Sequence, residues 1–582
     1  MRLSGLLLIG SIFLISACGA EAPPEQTQQP EAATGFIAKT GKLAEDYLVV
    51  AATPPAAKAG EAVLAAGGNA IDAAIAVQAM LTLTEPQSSG IGGGAFILYW
   101  DDAAQRLYTI DAREQAPQAA GPDLFLDAQG RPPESFWDAV IGGRSVGTPG
   151  VLRGLELAHQ RWGKLPWSDL FTPSITAARE GFVVSPRLQR LLELEINPGL
   201  PELEPARSYF YPQGQALQAG QTKRNPALAD TFQEIAKGGA DAFYTGAIAA
   251  DIVTAVQHSG GAPGLLSKAD LAGYQAVIRQ PVCSAYRVYQ ICGMGPPSSG
   301  GISVLQILGI LENFPVSEWD PTGADALHYF TQASRLAFAD RNRYIADSDY
   351  VAVPVAQMLD EGYLAQRASL ITNRDMGKAM AGELRLTEQA DDQSPEFPNT
   401  SHLSIIDAEG NAIAMTTSIE MGFGSAVMAR GFLLNNQLTD FSLVPEVNGM
   451  PVANRVEPGK RPRSSMAPTM VFDEQGEQLI HVVGSPGGQN IILYVAQALL
   501  GLLDWNMNMQ EAVNQPHVTN TNRMTVLEAE TTLVPVADEL KARGHEVRIG
   551  ELNSGLHGIT VLPDGRLFGA ADPRREGLAT GN

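Results

Sequence analysis

The sequence predicts an α+β fold from three features. Helical periodicity marks two stretches in the first part: the alanine-rich EAVLAAGGNAIDAAIAVQAML (61–81) and ADALHYFTQASRLAFADRNRY (324–344), the latter with Leu327, Phe330, Ala333 and Ala337 on one face. Strand signals follow Thr400, where Leu403 and Ile405, then Ile413 and Met415, flank a tight polar turn. The roughly 550 residues from Gly35 on, in a chain that is 45% hydrophobic, suffice for a large core and show no internal repeat or second linker before Gly382.

The chain begins MRLSGLLLIGSIFLISAC, one Arg before a short apolar run and small residues before Cys18. The run is too short to span a bilayer comfortably, and the pattern is that of a bacterial lipoprotein signal over residues 1–18, with diacylglycerol on Cys18 as the anchor. An ordinary secretory signal leaving a soluble periplasmic or secreted protein is the alternative. Residues 19–35, rich in Pro, Gln and Glu, are expected to be a flexible tether that holds the body on the periplasmic side of a membrane.

Cys283 and Cys292 flank SAYRVYQI, with a turn expected at 284–287. The spacing suits a local disulfide in an exported protein and suits two buried free thiols equally. Residues 382–398 are polar, acidic and broken by two prolines, which fits a segment able to move aside as well as an ordinary surface linker.

The most informative stretch is NTSHLSIIDAEGNAIAMTTSIE, beginning at Asn399. Pairing symmetric about Glu409 sets Thr400 opposite Ser418, so that two hydroxyls share one face; a slip of one residue would separate them. Taken alone, a Thr and a Ser at strand ends are turn or cap residues. The company they keep changes that reading: NNQLTD (435–440), KRPRSSMAPT (460–469) and GSPGG (484–488) follow, and SSGIGGGAF (88–96), DAREQAP (111–117), GTPG (147–150), PPSSGG (296–301) and ADPRREG (571–577) complete an ordered set.

In these motifs the chain resembles the γ-glutamyltransferase (glutathione hydrolase) family of N-terminal nucleophile hydrolases, from about Gly35 to the end. The resemblance implies a four-layered αββα sandwich and autocatalytic scission between Asn399 and Thr400. The products would be a large subunit, 36–399, and a small catalytic subunit, 400–582, interleaved as one body. A threonine hydroxyl is a poor nucleophile at neutral pH, and the free α-amine released by cleavage, with a pKa of about 8, can serve as its base.

By the same resemblance, Thr400 is the nucleophile, Ser418 orients it, and the amides of Gly487 and Gly488 hold the oxyanion. Arg113 takes the substrate α-carboxylate with Ser464 and Ser465, while Gln437, Asp440 and Glu420 take the α-ammonium. Glu420 departs from the family's usual asparagine, which makes substrate identity less certain than reaction type. The 441–460 segment stands in place of the lid loop, is shorter and lacks the gating aromatic, so a more open cleft is expected. The implied activity is transfer of a γ-glutamyl group from glutathione-like donors to water, amino acids or peptides. A cephalosporin or glutaryl amidase and an uncleaved peptide-binding surface lipoprotein are the alternatives.

Other chemistries find little support. The net charge of −23 repels nucleic acid. Zinc-ligand spacing, HExxH and SxxK patterns are missing, and no cofactor or metal is expected. SSGIGGGAF lacks a dinucleotide unit around it. His402 is read as an alternating-side strand neighbour of Thr400 and not as its base.

Overall fold

The computed structural model describes residues 33, 35–384, 389–392, 394, 397 and 399–582. Cys18, the signal and nearly all of the tether lie outside the described residues, as does part of 382–398.

Fourteen strands build two seven-stranded sheets: β1 (Lys42–Ala44), β2 (Leu48–Ala51), β3 (Gly94–Asp101), β4 (Arg106–Ala112), β5 (Val277–Arg279), β6 (Val282–Tyr286), β7 (Tyr289–Gly293), β8 (Ser401–Ile406), β9 (Ala412–Ser418), β10 (Thr469–Asp473), β11 (Leu479–Gly484), β12 (His557–Val561), β13 (Leu567–Ala571) and β14 (Leu578–Gly581). One sheet runs β14-β2-β8-β9-β3-β4-β5 and the other β1-β13-β12-β11-β10-β7-β6. Strands from both sides of Thr400 contribute to each sheet, so the two halves of the chain share both sheets.

Alternation of side chains explains the stacking. Val49, Ile97, Leu403, Ile405, Ile413 and Met415 pack on α1 (Pro54–Ala65), α2 (Ala70–Thr84) and α3 (Val151–Trp162). Their neighbours Val50, Leu98, Ile406 and Ala414 face Met470, Phe472 and Val482 of the second sheet. Beyond that sheet lie α4 (Gly300–Leu311), α5 (Ala324–Tyr344) and α6 (Asn490–Leu503). The result is the four-layered αββα sandwich.

The 324–344 stretch is one helix, with Leu327, Phe330, Ala333 and Ala337 buried as expected. The 61–81 stretch, marked by helical periodicity, falls in two helices. Gly67 takes φ +90° and stops α1, and Asn69 starts α2 with a reciprocal capping box to Asp72. Cys283 and Cys292 sit directly across β6 and β7 and are joined by a disulfide. The turn of that hairpin falls at Arg287-Val288, not 284–287, because Cys283, Ser284, Ala285 and Tyr286 are all paired with β7.

Candidate active site

The β8–β9 register pairs Ser401 with Thr417, Leu403 with Met415 and Ile406 with Ala412, a pairing centred on Glu409. Thr400 and Ser418 therefore meet at the open end of the hairpin, in the middle of the sheet. In the uncleaved chain Thr400 Oγ1 donates to Ser418 Oγ at 3.4 Å, and Ser418 Oγ also accepts from the Glu420 N–H at 2.8 Å. The Thr400 N–H donates to Asn399 Oδ1 at 3.0 Å, while Asn399 Nδ2 donates to the Gln87 carbonyl. The glycine run near β3 serves this packing: a Cβ on Gly93 would collide with the Ser418 carbonyl.

Nine of the residues singled out in the sequence line one cavity: Thr400, Ser418, Gly488, Arg113, Glu420, Gln437, Asp440, Ser464 and Ser465. Gly487 adjoins Gly488 at the entry to α6, where the two take φ +134° and +56°. Both angles exclude most side chains, which explains the GG pair. The Gln437–Asp440 turn is stapled by its preceding asparagines. Asn435 donates to the carbonyls of Gly92 (2.8 Å) and Gly147 (2.9 Å), and Asn436 accepts from the Met421 N–H at 2.9 Å.

Charge is arranged tightly here. The buried Arg113 guanidinium pairs with Asp440 and donates to the carbonyls of Pro462 (3.1 Å) and Arg463 (2.9 Å). Gln437 Nε2 donates to Asp440 at 2.9 Å and to Glu420 at 3.3 Å. Glu114 lies 3.7 Å from Arg113, and burial pushes its carboxyl up to about 8. Glu420 itself takes φ +76°, where asparagine is far better tolerated than glutamate.

The cleft is closed in the uncleaved chain, contrary to the more open one expected. Thr400 and Ser418 are each 2% exposed, and the free space among the lining residues is about 20 Å³, room for about one water. Phe397, just before the bond, lines the cavity and packs on Phe136 at 4.9 Å between ring centroids. Upstream of it Asp392 is tied to Arg463 and Asn454, each at 3.0 Å.

His402 shares the strand face of Thr400, a correction to its placement on the alternating side. It is bonded to Thr416 (2.9 Å) and Ser404 (3.2 Å), and burial holds it neutral. No cluster of three or more His, Cys, Asp or Glu among the described residues is placed to hold a metal.

A family model for gamma-glutamyltranspeptidase matches residues 56–582. The chain belongs to the gamma-glutamyltranspeptidase family. It is 38% identical over 577 residues to the glutathione hydrolase proenzyme of Escherichia coli (strain K12), covering 98% of this chain and 96% of that one. It is 35% identical over 592 residues to the glutathione hydrolase proenzyme of Bacillus subtilis (strain 168), covering 100% and 97%. Its fold is similar to the crystal structure of cephalosporin acylase from Bacillus halodurans, with a TM-score of 0.82 at 28% identity, covering 94% and 97%.

Set against this gamma-glutamyltranspeptidase frame, several supporting residues escaped sequence reasoning. Arg341, near the end of a helix read only as core, donates to Ser465 (2.6 Å) and Ser299 (2.8 Å), and Ser299 in turn donates to the Ser464 carbonyl at 2.7 Å. The PPSSGG and KRPRSSMAPT motifs thus form one unit. Arg575, inside ADPRREG, donates to the Thr400 carbonyl at 3.2 Å. Its only signal in the sequence was membership of a motif to which no role had been given.

Proposed function

We propose that the protein is a self-processing γ-glutamyl acyl-transfer enzyme, a glutathione hydrolase whose nucleophile is Thr400. The observation that carries this reading is the convergence of Thr400, Ser418, the Gly487-Gly488 turn and the Arg113, Glu420, Gln437 and Asp440 charge cluster on one buried cavity. Maturation begins when Thr400 Oγ1 attacks the Asn399 carbonyl carbon. The C–N bond breaks, the nitrogen takes up the proton released by Oγ1 to become the new α-amine, and water opens the resulting ester. The products are 36–399 and 400–582, the second of 183 residues (582 − 399).

In turnover the α-amine takes the Oγ1 proton as Thr400 attacks the γ-carbonyl of the substrate. Two main-chain amides at Gly487 and Gly488 suit the developing oxyanion, the amine leaves, and water or an amino acceptor resolves the ester. Arg113 suits the α-carboxylate with Ser464 and Ser465, and two carboxylates with Gln437 suit the α-ammonium. Cys18 as a lipid anchor on the periplasmic side of the membrane completes the proposal. It rests on the leader sequence, and replacement of Cys18 by serine should release the protein from membranes.

A glutaryl or cephalosporin amidase is the second reading, favoured by the full-length likeness to the Bacillus halodurans acylase and by Glu420. Intact masses of wild type and Thr400→Ala, followed by rates on γ-glutamyl and glutaryl anilides, test both. Two fragments in the wild type, one chain in the variant and preference for the γ-glutamyl anilide are expected. Equal turnover would move the second reading forward, and one chain in both would end the mechanism.

A further inference from the structure

Three buried charges that do not line the cavity, Arg575, Glu85 and Arg187, form a chain of contacts that ends on the Thr400 carbonyl and the Ser401 hydroxyl. Arg575, 1% exposed, gives Nη1 to the Thr400 carbonyl at 3.2 Å and Nε to the Ser554 carbonyl at 3.0 Å. Glu85, also 1% exposed, accepts from Ser401 Oγ at 2.6 Å, and Ser401 Oγ lies 2.9 Å from Ser89 Oγ. Glu85 Oε1 is 3.9 Å from Arg575 and 4.0 Å from Arg187, so one carboxylate serves two guanidinium groups. Burying such charges is costly unless the geometry is used.

Cleavage changes what holds Thr400. The Asn399 bond and the amide contact to its side chain are lost, whereas the hold on the Thr400 carbonyl and on Ser401 stays within the new subunit and its partner. Arg575 threads past Gly555, where a Cβ would stand 2.8 Å from its Cδ, and the Gly555 N–H donates to Ser485 at 3.3 Å. Gly555 thus stands between the arginine and the GSPGG loop.

Taking the reading of Thr400 as the new amino terminus, we propose that Arg575 is a positioning residue. It pins the main chain of the freed nucleophile and, as a fixed cation on the carbonyl of the same residue as the α-amine, keeps that amine in its neutral, proton-accepting form. Glu85 tempers the cation while fixing Ser401. A nearby like charge disfavours the ammonium, and a nearby carboxylate favours it. The other charges around the amine are Arg187 behind, with Lys39 donating to the Arg575 carbonyl at 2.7 Å and Asp572 and Glu576 close to Lys39, and Arg113, Glu114, Glu420 and Asp440 on the cavity side. His402 and His557 are neutralised by burial and add no charge.

The test is the pH profile of kcat/KM on a γ-glutamyl anilide for self-processed wild type, Arg575→Gln, Arg575→Lys and Glu85→Gln. Loss of the cation raises the amine's proton affinity, so the acid limb of Arg575→Gln moves to higher pH by about one unit. Arg575→Lys keeps the charge and stays near the wild-type limb. Glu85→Gln moves the limb the other way. A purely structural role would lower the rate without moving the limb, and unmoved limbs, or movement of both variants in one direction, overturn the inference. Should Arg575→Gln not mature, Glu85→Gln decides alone: a downward limb supports the inference and the wild-type limb overturns it. Absence of turnover in the wild type would instead overturn the reading of the site, and this inference with it.

Discussion

Arg113 and Asp440 form an ion pair across the cavity, joining the two charges that a γ-glutamyl zwitterion would engage separately. The substrate carboxylate must take the guanidinium and its ammonium must take the carboxylate, so one internal pair is exchanged for two external ones. Asp440→Asn leaves Arg113 without its strongest partner and removes an ammonium ligand. The expected outcome is a KM for the γ-glutamyl anilide raised tenfold or more, about 1.4 kcal/mol per decade, with self-cleavage preserved because the Thr400–Ser418 hydroxyl pair is untouched. An unchanged KM would remove Asp440 from the binding site.

Glu114 supplies a pH-dependent stability term. Burial raises its carboxyl from 4.5 to about 8 against the pull of Arg113. The unfolded chain gives up this proton near 4.5 and the folded chain holds it to about 8. The folded state therefore binds more protons in that window, and stability falls as pH rises through it. Glu114→Gln copies the neutral acid. In the uncleaved Thr400→Ala background, its melting temperature should gain on the parent across this window, and parallel curves would show that Glu114 is ionised throughout.

The hairpin was legible because period-two alternation and a single polar turn leave only one register that buries Leu403, Ile405, Ile413 and Met415 together. The break within 61–81 was legible in principle too: Gly67-Gly68-Asn69 with Asp72 three residues on is a stop followed by a capping box, but the flanking alanines mask it. Arg575 lies 175 residues from Thr400 in sequence, and no local pattern reports a hydrogen bond to a main-chain carbonyl at that distance. The closure of the cleft was hidden for a related reason. Phe397, which lines the cavity, meets Phe136, and no local pattern reports a ring contact between positions 136 and 397.

Gly487 tests the oxyanion turn. At φ +134° a side chain is strained, and a Cβ would stand 2.7 Å from the Tyr494 ring. Gly487→Ala must shift the loop and misdirect its amides, while Arg113 and Asp440 remain in place. A fall in kcat of roughly 10²–10³-fold is expected, the usual cost of losing one oxyanion donor, with KM within a few-fold of the parent. A parent-like kcat would mean that the turn does not face the reacting carbonyl.

Ser418 carries the most direct test of the hairpin's purpose. Its Oγ accepts from the Glu420 N–H at 2.8 Å and from Thr400 Oγ1 at 3.4 Å, so a main-chain donor fixes the oxygen that in turn orients the nucleophile's proton. Ser418→Ala keeps the strand and removes this acceptor, a loss of about 1–3 kcal/mol for a buried partner left unmade. The appearance of the fragment starting at Thr400 should slow by roughly 10–100-fold, since each tenfold is about 1.4 kcal/mol. Ser418→Thr retains the hydroxyl at the same register and should recover most of the rate. Cleavage of Ser418→Ala at the parent rate would reduce Ser418 to an ordinary strand end, and equal slowing in Ser418→Thr would assign the effect to packing instead of to the hydroxyl.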